Sequence, residues 1–196
     1  MEREKKKISY FLEKTQNFKP HQNIQKLLEI RKEPGTAIDL GCGAGRDTVF
    51  LLQHGWKVIA IDQEDTKEII EKRLNRMEKK RFLFEKQQFE KISLPNVEAV
   101  IANYSLPFCD KRCFLEVWEK IEKAIKKEGY FAGNFFGVND SWRKVKQNMT
   151  FLTKEEVEQL FSDFSIMQWK EREEDGVTAI GEQKHWHIYE VIAKKR

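Results

Sequence analysis

The sequence predicts an α/β fold: a doubly wound sheet of about seven strands, mostly parallel with an antiparallel last strand, and helices on both faces. Three observations carry that expectation. Short apolar runs alternate with amphipathic helical patterns through the middle of the chain, and a glycine-rich turn joins the first run to the helix after it. Near the C-terminus two strand-like runs are joined by a stretch with no helical stripe. Parallel strands need a crossover, usually a helix, whereas a hairpin needs none. The 196 residues are 40% hydrophobic, which suits one domain with a proper core. We divide it into a helical leader over residues 1–33 and a core over residues 34–196.

Taken in order, residues 8–32 read as two helical pieces, with Ile24, Leu27 and Leu28 at helical spacing before Pro34-Gly35 ends the run. Strands are expected at residues 36–40, 57–61, 81–85, 97–103 and 130–136, mostly apolar as strands covered on both faces are. A helix over residues 44–54 has Gly55 where a C-cap glycine belongs. A second, over residues 66–80, carries Ile70, Leu74 and Met77 on one stripe. A third presents Phe114, Val117, Trp118, Ile121, Ala124 and Ile125 on one face, and Gly129 is expected to stop it. Thr153 and Glu156 form a capping box for a helix ending near Phe164. Strands at residues 165–170 and 185–193 follow, with residues 171–176 read as their connection.

Lys and Arg number 36 against 32 Asp and Glu, and the formal net charge is +4. The charges are interspersed, as on solvated helix surfaces, and do not argue for a nucleic-acid partner. Residues 1–7 are charged with no apolar stretch behind them, so no signal peptide is expected. No apolar run approaches the roughly 18 residues that span a bilayer, so no membrane association is expected. Three cysteines, Cys42, Cys109 and Cys113, make no even disulfide framework. A reducing, cytoplasmic setting follows from this.

The informative segment is Asp39-Leu40-Gly41-Cys42-Gly43-Ala44-Gly45-Arg46-Asp47, which follows a strand and opens a helix. Glycines there let the backbone turn sharply and bring a ligand onto N–H groups at a helix N-terminus, a good place for a carboxylate. The next strand, Val58-Ile59-Ala60-Ile61, ends in Asp62, and such an acid can accept hydrogen bonds from both ribose hydroxyls of an adenosine. A dinucleotide fingerprint would require glycine at position 46, where this chain has Arg46. Asp39 stands at the end of the first strand, positioned to receive the ammonium group of an amino acid. One acid for an amino acid and one for a ribose describe a single ligand with both ends, and S-adenosylmethionine has both.

These residues resemble the first two motifs of class I S-adenosylmethionine-dependent methyltransferases, and Lys127-Glu128-Gly129-Tyr130-Phe131 is similar to the turn before that family's fifth strand. The resemblance implies a Rossmann-like sheet with an antiparallel seventh strand. It implies S-adenosyl-L-methionine as the cofactor, held by Asp39, Gly41, Cys42, Gly43, Ala44, Gly45, Asp62, Gln63 and Asn103. The Gly-Arg-Asp continuation and the short chain resemble small bacterial members of the tellurite-resistance and thiopurine type. Many members place an acid after the third strand against the adenine amino group. This chain has Gln88 there, whose amide oxygen can accept the same bond, with Phe89 beside the ring.

On that resemblance the protein is expected to be an enzyme of class 2.1.1, moving a methyl group to a small-molecule acceptor by in-line displacement. Positioning and exclusion of water do most of the work in such a reaction, so no catalytic residue is assigned. The acceptor pocket is expected from Tyr104, Trp142, His185 and His187. An RNA or protein acceptor, or a binding protein without catalysis, are the competing classes. Cys109 and Cys113 with His185 and His187 would offer zinc ligands, but nothing in the sequence joins the two pairs, and no metal is assigned. The leader is either a lid over the cofactor or a helix packed permanently on the sheet.

Overall fold

The computed structural model describes residues 2–196, with side chains from residue 8 onward; Met1 and the side chains of the charged N-terminal run lie outside the described residues. The leader forms α1 (Glu2–Thr15) and α2 (Gln22–Ile30). The core then alternates as β1 (Thr36–Leu40), α3 (Arg46–Gln53) and β2 (Lys57–Asp62), and continues through α4 (Lys67–Glu71), α5 (Arg76–Lys79) and β3 (Phe82–Lys86). After β4 (Val97–Ala102) come α6 (Phe114–Ala124), β5 (Ile125–Gly137), the short β6 (Phe151–Leu152) and α7 (Lys154–Leu160). A hairpin of β7 (Phe164–Val177) and β8 (Gln183–Lys195) ends the chain.

The strands make one sheet in the order β3-β2-β1-β4-β5-β8-β7, with β6 pairing β5 beside that path. Pairings from β3 to β5 are parallel, and β8 is antiparallel to both β5 and β7. The predicted fold class therefore stands, with β6 added. Successive side chains of each central strand enter opposite layers. Ile38, Leu40, Val100 and Ala102 face Trp118, Phe131, Phe135, Val157 and Phe161 on one side. Ala37, Ala99 and Ile101 face Ile24, Leu27, Leu52 and Trp56 on the other. Full burial of each large aliphatic or aromatic side chain contributes about 1.5–3 kcal/mol, so both layers are well anchored.

Several elements differ from the sequence expectation, each for a physical reason. The single helix expected over residues 66–80 is two, because the Asn75 side chain accepts from the Met77 and Glu78 amides and starts a new turn. Met77, expected on the buried stripe, is 62% exposed. The helix α6 ends at Ala124, where Ile125 turns extended and enters the sheet, so Gly129 lies inside β5 rather than at the helix end. Gly55 does take the positive φ of +88° that a helix-ending glycine allows. The capping box at Thr153 and Glu156 forms as expected. Residues 171–176, read as a connection, are strand: Glu171 pairs with Tyr189 and Gly176 with Lys184. No apolar face marks this stretch, because from Glu173 onward it projects beyond Ile188, the last residue of β8 paired with β5, and most of its residues are exposed.

That projecting arm is pinned at its root. Lys184 and Asp140 form an ion pair with both side chains fully buried. The ammonium lies 4.4 Å from the ring centres of both Trp142 and Trp186, and 5.1 Å from that of Phe136. Burial pushes the Lys184 pKa down against the pull of Asp140. Removing one partner of such a pair strands the other charge in an apolar box. Lys184→Met is expected to destabilise the fold by about 3–5 kcal/mol in urea unfolding. The double variant Lys184→Met/Asp140→Asn is expected to recover most of that loss, and equal instability of the two variants would contradict this account.

Candidate functional site

The parallel strands β1, β2 and β4 end at one rim, and a cavity of about 940 Å³ opens there. That volume lies in the range of small-molecule sites. The turn after β1 forms its floor. Gly41 and Cys42 donate their amides to Ile61 O at 2.8 and 3.1 Å, which folds the turn back onto β2. Gly41 has φ +74°, and a Cβ there would stand 2.3 Å from Ser105 Cβ, so a side chain is excluded both by conformation and by space. Ser105 Oγ is buried and has no hydrogen-bond partner among the described residues, although it lines the cavity.

Two carboxylates flank this floor. Asp39 is 3% exposed, accepts from Thr48 Oγ1 at 2.5 Å, and is pushed up to about 7 by burial and by the neighbouring charges of Asp47 and Asp62. Asp62 accepts from the Gly43 amide at 2.8 Å and the Glu64 amide at 2.9 Å. Burial raises its pKa despite those bonds. Both acids line the cavity. An acid kept partly neutral by burial gains most from a ligand that brings positive charge or donors to it.

Of the residues singled out in the sequence, Asp39, Gly41, Cys42, Gly43, Ala44 and Asp62 line the cavity. So do Gln63, Gln88, Phe89, Asn103, Tyr104 and Trp142. Gly45 does not line it; Ile70 packs where its Cβ would be, so this glycine serves the approach of α4 to the turn. His185 and His187 are not brought to the cavity either. They sit on the opposite face of β8, where His185 meets Asp175 at 2.7 Å and His187 meets Glu171 at 3.1 Å. Trp186, which lies between them in sequence, lines the cavity instead.

Sequence reasoning also missed a buried polar network. His21 holds Asp47 through its backbone amide at 2.9 Å and through Nδ1 at 2.7 Å. Asn103 Nδ2 donates to the same carboxylate at 2.8 Å, and Asn23 Nδ2 donates to Asn103 Oδ1 at 2.5 Å. Burial opposes ionisation of Asp47, but the bonds from His21 and Asn103 outweigh it and hold the pKa below the ordinary value. Tyr104 stacks on the His21 ring at 5.1 Å and takes φ +50°, a rare conformation for a bulky residue. Asn134 Oδ1 accepts the Tyr104 amide at 2.8 Å, and Arg172 donates to the Tyr104 hydroxyl at 3.1 Å. Asn103 and Tyr104 were singled out in the sequence and Asp47 was visible in the Gly-Arg-Asp run; His21, Asn23, Asn134 and Arg172 carried no local signal.

The cavity has a roof. Ile8, Phe11, Leu12, Thr15 and Phe18 of the leader line it, as do Val177 to Ile180 at the tip of the hairpin. The two halves of the leader differ: Ile24 and Leu27 of α2 are fully buried in the core, whereas Phe11 and Phe18 are 42% and 43% exposed. Among the described residues, no helix is long and apolar enough to cross a membrane.

Comparison with known proteins agrees with this geometry. No curated protein matches the chain by sequence. Among solved structures it is similar to TehB of Haemophilus influenzae, with 14% identity and a TM-score of 0.76 over 95% of this chain. The chain spans 66% of the length of that protein. It is also similar to the 1,6-didemethyltoxoflavin-N1-methyltransferase of Burkholderia thailandensis, solved with bound 1,6-didemethyltoxoflavin and S-adenosylhomocysteine, at 17% identity and TM-score 0.66 over 88% and 76% of the two chains. The N-methyltransferase NodS of Bradyrhizobium japonicum, solved with S-adenosylhomocysteine, aligns at 12% identity and TM-score 0.63 over 89% and 85%. At such identities these likenesses speak for the fold alone. The model of the family described as tellurite resistance protein TehB matches residues 4–178, and the chain belongs to that family.

Proposed function

We propose that the protein is an S-adenosylmethionine-dependent methyltransferase acting on a small-molecule acceptor. The observation that carries this reading is the pair of acids, the buried Asp39 and the half-buried Asp62, on either side of one glycine turn and facing one cavity. Asp39 receives the ammonium of the amino-acid end, and Asp62 accepts from the ribose hydroxyls. The turn is open beside Gly43, where a Cβ would meet nothing within 4 Å, and the Ser105 hydroxyl, unpartnered among the described residues, offers the ligand a donor and an acceptor. When bound, the cofactor supplies an electrophilic methyl group on a sulfonium, whose thioether is a good leaving group.

The chain's own residues then orient the acceptor and exclude water. Tyr104, Phe136, Trp142 and Trp186 form the aromatic wall of the cavity. The leader and the hairpin tip close over the opening, which favours a small acceptor over a polymer. His21, held by Asp47, is the proton acceptor on this wall for an acceptor atom that must lose a proton.

Calorimetric titration with S-adenosylmethionine and S-adenosylhomocysteine, with NADH as control, tests the cofactor. Both adenosyl ligands are expected to bind and NADH is not. Asp62→Ala is expected to weaken both by about 10–100-fold, the value of a hydrogen bond to a charged group. Folded protein that binds neither ligand would sink the proposal.

The same titration across pH reports on Asp39. Its pKa in the free protein is about 7, so its carboxylate forms as pH rises through that value. Affinity for the cationic amino-acid end is expected to climb up to about pH 7 and to fall again above about pH 8, where the ligand's own α-amino group loses its proton. Asp39→Asn is expected to abolish the climb, and a flat profile in the parent would refute the role given to Asp39.

Once an acceptor is in hand, His21→Gln is expected to lower kcat by about 100-fold or more on acceptors that lose a proton early. Binding of S-adenosylhomocysteine should be unchanged. An unaltered kcat would remove His21 from the chemistry.

A further inference from the structure

Glu90, Cys109 and Cys113 converge beside the cavity from three places in the chain. Glu90 sits in the 3-10 turn after β3, Cys109 follows the 3-10 turn after β4, and Cys113 caps the start of α6. Cys109 Sγ and Cys113 Sγ are 3.8 Å apart, and Cys113 Sγ is 3.6 Å from Glu90 Oε1. One ligand atom from each residue lies within 4.8 Å of the other two.

These separations have a specific meaning. Zinc binds thiolate sulfur at about 2.3 Å and carboxylate oxygen at about 2.0–2.2 Å, with tetrahedral angles. The edges of such a tetrahedron are about 3.8 Å between two sulfurs and about 3.5–3.7 Å between sulfur and oxygen. The two measured edges match both values. The third edge, between Cys109 Sγ and the Glu90 carboxylate, lies within 4.8 Å, close enough for one ion to meet all three.

The donor chemistry is selective as well. Two thiolates favour zinc and other thiophilic ions over magnesium or calcium, which prefer all-oxygen shells. Two thiolates and a carboxylate also bring three negative charges to a dication. The histidines that the sequence offered as partners are engaged elsewhere, on Asp175 and Glu171. Lys120 is held on the Glu90 carbonyl at 3.0 Å and on Glu116 at 3.0 Å, so its ammonium is engaged by groups other than the Glu90 carboxylate.

We propose that Glu90, Cys109 and Cys113 form a binding site for a thiophilic divalent cation, zinc above all, with a solvent molecule completing the tetrahedron. Phe89, Glu90 and Phe108 line the cavity, so the ion ties the turn after β3 to the loop after β4 directly behind the cavity wall. Its role is to clamp that wall, joining two segments that the sheet alone does not hold together.

The test is a cobalt titration of the reduced, chelator-treated protein. Thiolate ligands give a sulfur-to-cobalt charge-transfer band in the near ultraviolet, and zinc should displace the cobalt and bleach it. One equivalent is expected to saturate the signal. An outer-shell partner alone is worth about 10–100-fold in metal affinity, so losing a ligand in Cys113→Ser or Glu90→Gln should weaken binding at least tenfold. Both positions are partly or fully exposed, which keeps these variants foldable, and Cys42→Ser controls for the remaining thiol and should leave the band intact. The proposal is overturned if the parent shows no saturable band, or if the band survives in Cys113→Ser. It is equally overturned if air oxidation joins Cys109 and Cys113 in a disulfide while the reduced protein takes no cobalt. The readout needs neither methyl donor nor acceptor, so its failure would leave the methyl-transfer reading untouched.

Discussion

Leu40 pairs with Ile61, and Asp39 pairs with Ala60 on one side and Ile101 on the other. These parallel ladders bring the ends of three strands to the rim in step. A slip of one residue would turn Asp39 from the cavity into the apolar layer of Ile38 and Leu40. The burial of that layer therefore sets the register, and the register sets the two acids. The glycine turn can fold back onto Ile61 only because β1 and β2 end together.

The same rim concentrates polar groups that are costly to bury. Asp39, Asp47, Asn103 and Ser105 are each less than a tenth exposed. Asp47 is satisfied by His21 and Asn103, whereas Asp39 has its pKa raised and Ser105 Oγ lacks a partner among the described residues. A folded protein normally pairs its buried polar groups, and groups held short of full pairing mark where a ligand completes the structure. The left-handed Tyr104 beside them fits the same pattern, since strain of that kind persists only where surroundings over-determine it.

Four separate segments enclose this rim. The leader reaches it through α1 while α2 is locked in the core, and His21 between them fastens the junction to Asp47. The hairpin arm reaches it from the far side, rooted by Lys184 and Asp140. The loops after β3 and β4 form the remaining wall, where Glu90, Cys109 and Cys113 meet. A scaffold of rigid strands with closures rooted at their bases allows motion at the tips without loss of the site's geometry.

The sequence by itself determined the elements whose signals are local. Alternating apolar runs marked β1, β2 and β4, the run from Asp39 to Arg46 marked the turn, and Thr153 with Glu156 marked the start of α7, because each depends on neighbours a few residues away. Local pattern also misled where a side-chain cap intervened, as at Asn75, or where pairing alone made a strand, as in residues 171–176. Only the tertiary structure decided what meets across the chain. His21 finds Asp47 at a separation of 26 residues, Arg172 finds Tyr104 at 68, and Cys113 finds Glu90 at 23. It also chose Trp186 over His185 and His187 for the cavity, because the register of β8 against β5 determines which face of that strand looks inward. Contacts of this kind follow from packing and register, and neither is written in any short stretch of sequence.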